Sequence, residues 1–161
     1  MAYSITEKCI GCGVCQKICP TAAVEGQPNK RHKVIAARCV DCGACGRICP
    51  HGAVLDVAGR ICVRIRRQNL NWPQPLFDYA VCVSCMVCID ACPPACLAQT
   101  FTADTGDRRI FPYLIRPNAC IACRFCGQEC PVDAISFKAP VEMTPLEAAS
   151  RQDPWKVIPE P

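Results

Sequence analysis

The chain has 161 residues, among them 18 cysteines and 15 prolines, with a formal net charge of +4. That length allows one or two small domains, and a cysteine share this high makes a metal or disulfide scaffold the default reading. No apolar run approaches the length of a membrane span, and apolar burial alone would leave two such small domains marginal.

Residues 2–7, Ala-Tyr-Ser-Ile-Thr-Glu, alternate apolar and polar and predict a short strand. The run Cys9, Cys12, Cys15, Cys19 follows, with Pro20 closing it. Ala22 to Glu25 and Lys33 to Ala37 predict two strands around a turn at Gly26-Gln27-Pro28-Asn29. The run returns at Cys39, Cys42, Cys45, Cys49 and Pro50, and a strand from Val54 to Val57 closes a first unit, residues 1–58. In residues 59–80, Arg60 to Arg67 alternates and predicts a basic strand, while Asn69 to Pro75, with Trp72, Pro73 and Pro75, predicts a linker. The runs Cys82, Cys85, Cys88, Cys92, Pro93 and Cys120, Cys123, Cys126, Cys130, Pro131 define a second unit, residues 81–138.

The gap from Cys92 to Cys120 is 28 positions, against 20 from Cys19 to Cys39. The excess predicts a longer hairpin: Gln99 to Ala103, a turn at Asp104-Thr105-Gly106-Asp107, then Arg109 to Ile115, with Pro112 at an edge or bulge. In the last segment, residues 139–161, Thr144, Pro145 and Glu147 fit the N-cap, first and third positions of a capped helix. That helix is barely two turns before Pro154 ends it, too short to stand alone. Two readings stay open for this segment: a frayed tail, or a docking arm that buries Trp155 on a partner.

Why the cysteines stand at these intervals is a matter of ligand chemistry. Thiolate is soft enough to hold iron in a sulfide cage. Two residues between cysteines let a tight loop aim successive sulfurs at successive irons, and Gly11, Gly13 and Gly43 let the backbone wrap closely. Backbone N–H groups of such a loop can face the sulfurs and stabilise their charge. The proline after the fourth cysteine discourages helix there. Zinc sites usually show separated pairs of cysteines, often with histidine, whereas His32 and His51 follow no ligand spacing. A disulfide framework needs a secreted chain, and no apolar signal segment or twin-arginine leader is visible before Cys9. The expectation is four 4Fe–4S clusters, in a protein of the reducing cytoplasm.

The repeat extends past the cysteines. After each Cys-Pro come two residues, then a small one (Ala23, Ala53, Cys96, Ala134), then an apolar one (Val24, Val54, Leu97, Ile135). Cys96 is therefore read as a buried small hydrophobe. Cys62 has no such template and is either a reactive thiol or an inert strand cysteine. Residues 30–67 hold nine Lys or Arg against Asp41 and Asp56. This is either a solvated face that compensates cluster charge or a docking face for an acidic partner. The formal +4 counts every cysteine as neutral; clusters of about −2 each would bring the loaded protein to about −4. That weakens a nucleic-acid reading.

Over about residues 2–137 the chain resembles duplicated bacterial-type 2×(4Fe–4S) ferredoxins, the polyferredoxins, whose signature matches at all sixteen positions. The resemblance implies an α+β fold: two tandem ferredoxin-like units whose short strands and helices wrap around four clusters. It also implies the ligand sets. Cys9, Cys12, Cys15 and Cys49 would hold one cluster, and Cys39, Cys42, Cys45 and Cys19 the second. Cys82, Cys85, Cys88 and Cys130 would hold the third, and Cys120, Cys123, Cys126 and Cys92 the fourth. The iron–sulfur subunits of molybdenum reductases pair their outer and inner runs instead, with the short gap between the second and third. Here the short gap lies between the first and second, which favours sequential pairing.

The function so implied is one-electron transfer, with no catalytic residue of its own. The proline-rich extension and basic insert look like an electron-transfer subunit, similar to the four-cluster subunits of tungsten-dependent aldehyde oxidoreductase complexes. It would work between a catalytic tungsten or molybdenum subunit and a second redox protein or flavin subunit in a hetero-oligomer, without nucleic acid or membrane insertion. A free, diffusible polyferredoxin, or the small subunit of a formate dehydrogenase or hydrogenase, is the alternative.

Overall fold

All four cysteine runs fold by the same local rule. The residues two and four after the first cysteine take left-handed backbone: Gly11 and Gly13 (φ 74° and 75°), Asp41 and Gly43 (50°, 73°), Ser84 and Met86 (58°, 60°), Ala122 and Arg124 (55°, 66°). Each second left-handed residue is an N-cap. The four one-turn helices that follow are α1 (Val14–Ile18), α2 (Ala44–Ile48), α3 (Val87–Asp90) and α4 (Phe125–Gln128). The third cysteine of each run, Cys15, Cys45, Cys88 or Cys126, lies within its helix and is buried. At Cys19 and Cys49 the backbone turns extended (ψ 117° at both), as the prolines that follow require. One turn is too short to stand alone; α1 packs on α2, and α3 on α4.

This computed structural model describes residues 2–66, 72–101, 109–145 and 147. The chain divides into two compact units, Met1–Asn69 and Leu70–Pro161. In the first, β1 (Ser4–Ile5) pairs antiparallel with β4 (Val54–Leu55), and β2 (Val24–Glu25) with β3 (Lys33–Val34). In the second, β5 (Gln74–Phe77) pairs antiparallel with β8 (Ile135–Lys138), and β6 (Leu97–Phe101) with β7 (Ile110–Leu114). Both units therefore have one topology, an outer pair and an inner hairpin with two small helices between, and the α+β expectation holds at this level. Each buried cluster of side chains is rich in sulfur. Cys15, Cys45 and Cys49 sit among Ile5, Val24, Ala53 and Val54; Cys88, Cys96 and Cys126 sit among Phe77, Leu97 and Leu114.

The stretch expected to be a basic strand and linker is divided differently. Asp56 reverses the chain: its carboxylate accepts the N–H groups of Ala58 and Arg60, both at 2.9 Å. Ile61 then bridges back to Leu55, the Cys62 N–H donates to the Val54 carbonyl (2.9 Å), and the Ile65 N–H donates to the Arg47 carbonyl (2.9 Å). So residues 60–65 lie on the first unit rather than forming a free strand. At the other end Trp72 is buried and Gln74–Phe77 is the outer strand of the second unit. Prolines signal a linker there, but a two-stranded sheet leaves one edge of each strand unpaired, which is where Pro75 and Pro112 are tolerated.

The inner hairpin of the second unit begins at Leu97, two residues before its expected start. The expected turn at Asp104–Asp107 lies outside the described residues. The expected capping box is made: the Glu147 carboxylate accepts the Thr144 N–H (2.9 Å) and the Thr144 hydroxyl accepts the Glu147 N–H (3.3 Å). The rest of that segment, Trp155 included, lies outside the described residues.

Gly11 and Gly13 separate backbone strain from steric exclusion. A Cβ at Gly11 would stand 2.4 Å from the Lys30 backbone nitrogen, while one at Gly13 would meet nothing within 4 Å. Gly13→Ala is expected to cost about 1–2 kcal/mol of left-handed strain. Gly11→Ala is expected to cost about 1–3 kcal/mol more, because backbone must move. Denaturant unfolding of the two variants compares them directly; equal losses would show that the 27–30 turn yields freely.

Candidate metal centres

Among the described residues, each unit has two cavities lined by cysteines of its two runs. Cys9, Cys12, Cys15 and Cys49 line the first, with Ile5, Ala53 and Val54 behind them. Cys19, Cys39, Cys42 and Cys45 line the second. In the other unit Cys82, Cys85, Cys88 and Cys130 line one cavity, and Cys92, Cys120, Cys123 and Cys126 line another, with Cys96 beside them. In every case three sulfurs come from one run and the fourth from the other run of the same unit.

The crossing cysteine is held by a third left-handed residue, three positions after it: Ala22 (φ 50°), Gly52 (56°), Ala95 (47°) and Asp133 (51°). That turn brings the next backbone N–H back onto the crossing sulfur. Ala23 donates to Cys19 Sγ at 3.2 Å, Ala53 to Cys49 at 3.4 Å, Cys96 to Cys92 at 3.4 Å and Ala134 to Cys130 at 3.3 Å. The small residue repeated after each Cys-Pro is thus the N–H donor to a sulfur.

The protein by itself disfavours thiolate at these sites. Burial first, then the neighbouring sulfurs Cys9, Cys12 and Cys49, push the Cys15 thiol up to about 11. Burial first and adjacent sulfurs second push Cys45, Cys88 and Cys126 up to about 12. Filling the cavities must neutralise that charge and release protons. The donor set is all sulfur, which suits iron–sulfide cages and zinc alike. Among the described residues no three Cys, His, Asp or Glu side chains are arranged around one ion. A zinc ion needs four ligands near 2.3 Å from a single point, whereas a cage of four irons takes sulfurs spread around a cavity.

Other side chains bear on these sites. His32 follows no ligand spacing in the sequence, yet it is buried in the wall of the first cavity. Its Nδ1–H donates to the Lys30 carbonyl (3.1 Å), and its ring packs where a Cβ on Gly26 would stand, 2.5 Å away. No local pattern marks it, because the contact is made across the hairpin. His51 is exposed at the rim of the same cavity.

Cys62 is half-buried against the first core and packs on Gly46, where a Cβ would be 2.5 Å from its sulfur. Burial, then Asp56, pushes its thiol up, which favours the inert reading over the reactive one. Several of the basic residues at 30–67 have partners within the unit: Arg31 with Glu7, Arg38 with Glu25 (2.9 Å), Arg60 with Asp56 (2.9 Å), and Arg47 on the Cys42 carbonyl (2.8 Å).

Residues 3–56 match the 4Fe-4S dicluster domain, and residues 74–138 match a second 4Fe-4S dicluster domain. A ferredoxin from Rickettsia felis is 36% identical over 82 residues, covering 48% of this chain and 67% of that one. One chain of the anaerobic dimethyl sulfoxide reductase from Haemophilus influenzae is 32% identical over 68 residues, covering 42% of this chain and 32% of that one. Thus the chain spans about a third of the reductase chain and two thirds of the ferredoxin. A chain of the formate dehydrogenase–heterodisulfide reductase–formylmethanofuran dehydrogenase complex from Methanospirillum hungatei is 21% identical, with 81% of this chain and 52% of that chain covered and a TM-score of 0.31. That last likeness is too low to carry an argument.

Two dicluster domains in tandem define an iron–sulfur electron carrier with four 4Fe–4S clusters. The chain belongs to the bacterial-type 2×(4Fe–4S) ferredoxins. Among the described residues no helix is long and apolar enough to cross a membrane.

Anaerobically prepared protein is expected to contain about sixteen irons and as much sulfide per chain, one iron for each corner of four cages. Chelating the iron should collapse the circular dichroism together with the brown colour, because the clusters fill the sulfur-lined interior and apolar burial alone leaves units this small marginal. Iron analysis and a melt of the chelated protein check this; a sharp cooperative apo transition would contradict it.

Proposed function

We propose that the sixteen cysteines of the four runs, all of which line the cavities, are the cluster ligands in four crossed sets, and that the chain is the electron-transfer subunit of an oxidoreductase complex. The observation that carries the ligand assignment is the composition of the cavities: three sulfurs of one run and the fourth of its neighbour, four times over. The clusters supply one-electron transfer between two core oxidation states. The protein's part is to hold the sulfurs apart, exclude water and place N–H donors on the crossing cysteines. Cys12 and Cys85 are the exposed sulfurs of their sets, and they are the natural points of approach for redox partners. A subunit role is supported by the match to one chain of the dimethyl sulfoxide reductase.

In this reading the chain passes electrons between a catalytic subunit, of the tungsten or molybdenum kind, and a second redox protein or flavin subunit. The segment 139–161 serves as the docking arm, with the capped turn at Thr144–Glu147 as its root. A free polyferredoxin, or the small subunit of a formate dehydrogenase or hydrogenase, is the competing assignment.

Cys19→Ser is expected to damage the cluster of Cys39, Cys42 and Cys45 and to spare that of Cys9, Cys12 and Cys15. EPR of the reduced protein reads which signal is lost, and loss of the other one would refute crossing. Native protein purified without oxygen should co-elute with a tungsten- or molybdenum-containing subunit. Deleting residues 140–161 should leave all four clusters and weaken that association. A chain that elutes alone and reduces soluble acceptors at full rate would instead mark a diffusible carrier.

A further inference from the structure

The fourth cavity differs from the other three by a fifth cysteine in its wall. Cys96 is 2% exposed and its Sγ lies 3.3 Å from Cys92 Sγ. The equivalent positions hold Ala23, Ala53 and Ala134, which can offer only their backbone N–H. Ile121, the residue after the first cysteine of its run, is 8% exposed, against 56% for Ile10, 37% for Val40 and 56% for Val83.

Cys92 as a ligand, on which this argument rests, would be a thiolate with no proton to give. The contact between the two sulfurs must then be made by the Cys96 S–H. We propose that Cys96 donates an S–H···S hydrogen bond to the Cys92 thiolate and thereby raises the reduction potential of the cluster held by Cys92, Cys120, Cys123 and Cys126.

The reason is electrostatic. Reduction adds one electron, and part of its charge falls on the sulfurs. A donor aimed at a sulfur therefore stabilises the reduced state more than the oxidised one. Cys92 already receives the Cys96 backbone N–H (3.4 Å), as the crossing cysteine does in every run. The thiol is a second donor at a position where the other three runs hold alanine; at 3.3 Å it lies closer than the Thr21 hydroxyl does to Cys19 (3.7 Å). Shielding from water strengthens its effect, because a low local dielectric weakens screening. No bond to sulfur forms or breaks: one electron enters from a redox partner or from dithionite, and the proton stays on Cys96.

The test is an EPR-monitored redox titration of the anaerobic holoprotein with dithionite, comparing wild type with Cys96→Ala and Cys96→Ser. Alanine is the residue in the other three runs, so the fold accommodates it. Cys96→Ala is expected to keep full iron and to lower one midpoint by about 59 mV, the one-electron equivalent of a tenfold change in the reduced-to-oxidised ratio. The other three midpoints should not move, and Cys96→Ser, which keeps a donor, should recover most of the shift. Four unmoved midpoints in Cys96→Ala would overturn the proposal. So would a serine variant that behaves like alanine, or the loss of about four irons in Cys96→Ala, which would make Cys96 a ligand. Cys92→Ser is run alongside. Full iron and unmoved midpoints there would overturn the ligand assignment and this proposal with it. A disturbed Cys92→Ser beside a silent Cys96→Ala would overturn the hydrogen bond alone.

Discussion

The rest of this structure depends on gathering four mutually repelling sulfurs into a small apolar cavity, four times in one chain. Burial and the neighbouring sulfurs together push the innermost thiols up to about 11 and 12. In the chain alone those thiols keep their protons. Bound iron and the aimed N–H groups together stabilise the thiolates, which is why the strands are so short and the helices only one turn. Those elements need not stabilise themselves, since they only have to present sulfur and N–H groups to a common interior.

The local device that meets this constraint is left-handed backbone at three fixed places in every run. Two of these turns surround the second cysteine, and the third brings an N–H onto the crossing sulfur. Glycine occupies only some of the places. Asp41, Ser84, Met86, Ala122 and Arg124 accept left-handed φ as well, so the geometry is imposed by the site and not by glycine's freedom alone. Where the backbone of another turn presses close, as Lys30 does on Gly11, glycine becomes a steric necessity. The two units solve one problem with one topology but different fillings. The first is sealed by small aliphatics and His32. The second is sealed by aromatic residues: Tyr79 stacks on Phe77 with centroids 6.3 Å apart and its hydroxyl donates to the Pro112 carbonyl.

Much of this was legible in the sequence because the information is local. Cysteine spacing, the proline after each fourth cysteine and the small residue four positions after it all act within one turn of chain. They determined the cofactor and the repeat, while the α+β class followed from the resemblance to ferredoxins that they carry. The capping box at Thr144 and Glu147 was equally local. The tertiary structure decided what depends on chain segments meeting. It showed that residues 60–65 return along the first unit because Asp56 reverses the chain, and that Gln74–Phe77 is a strand because Ile135–Lys138 is there to pair with it. It put His32 into a cavity wall and set the Cys96 thiol 3.3 Å from Cys92. A sequence pattern reports what a residue does to its own backbone; which sulfur a side chain faces is fixed only when two distant turns close on the same cavity.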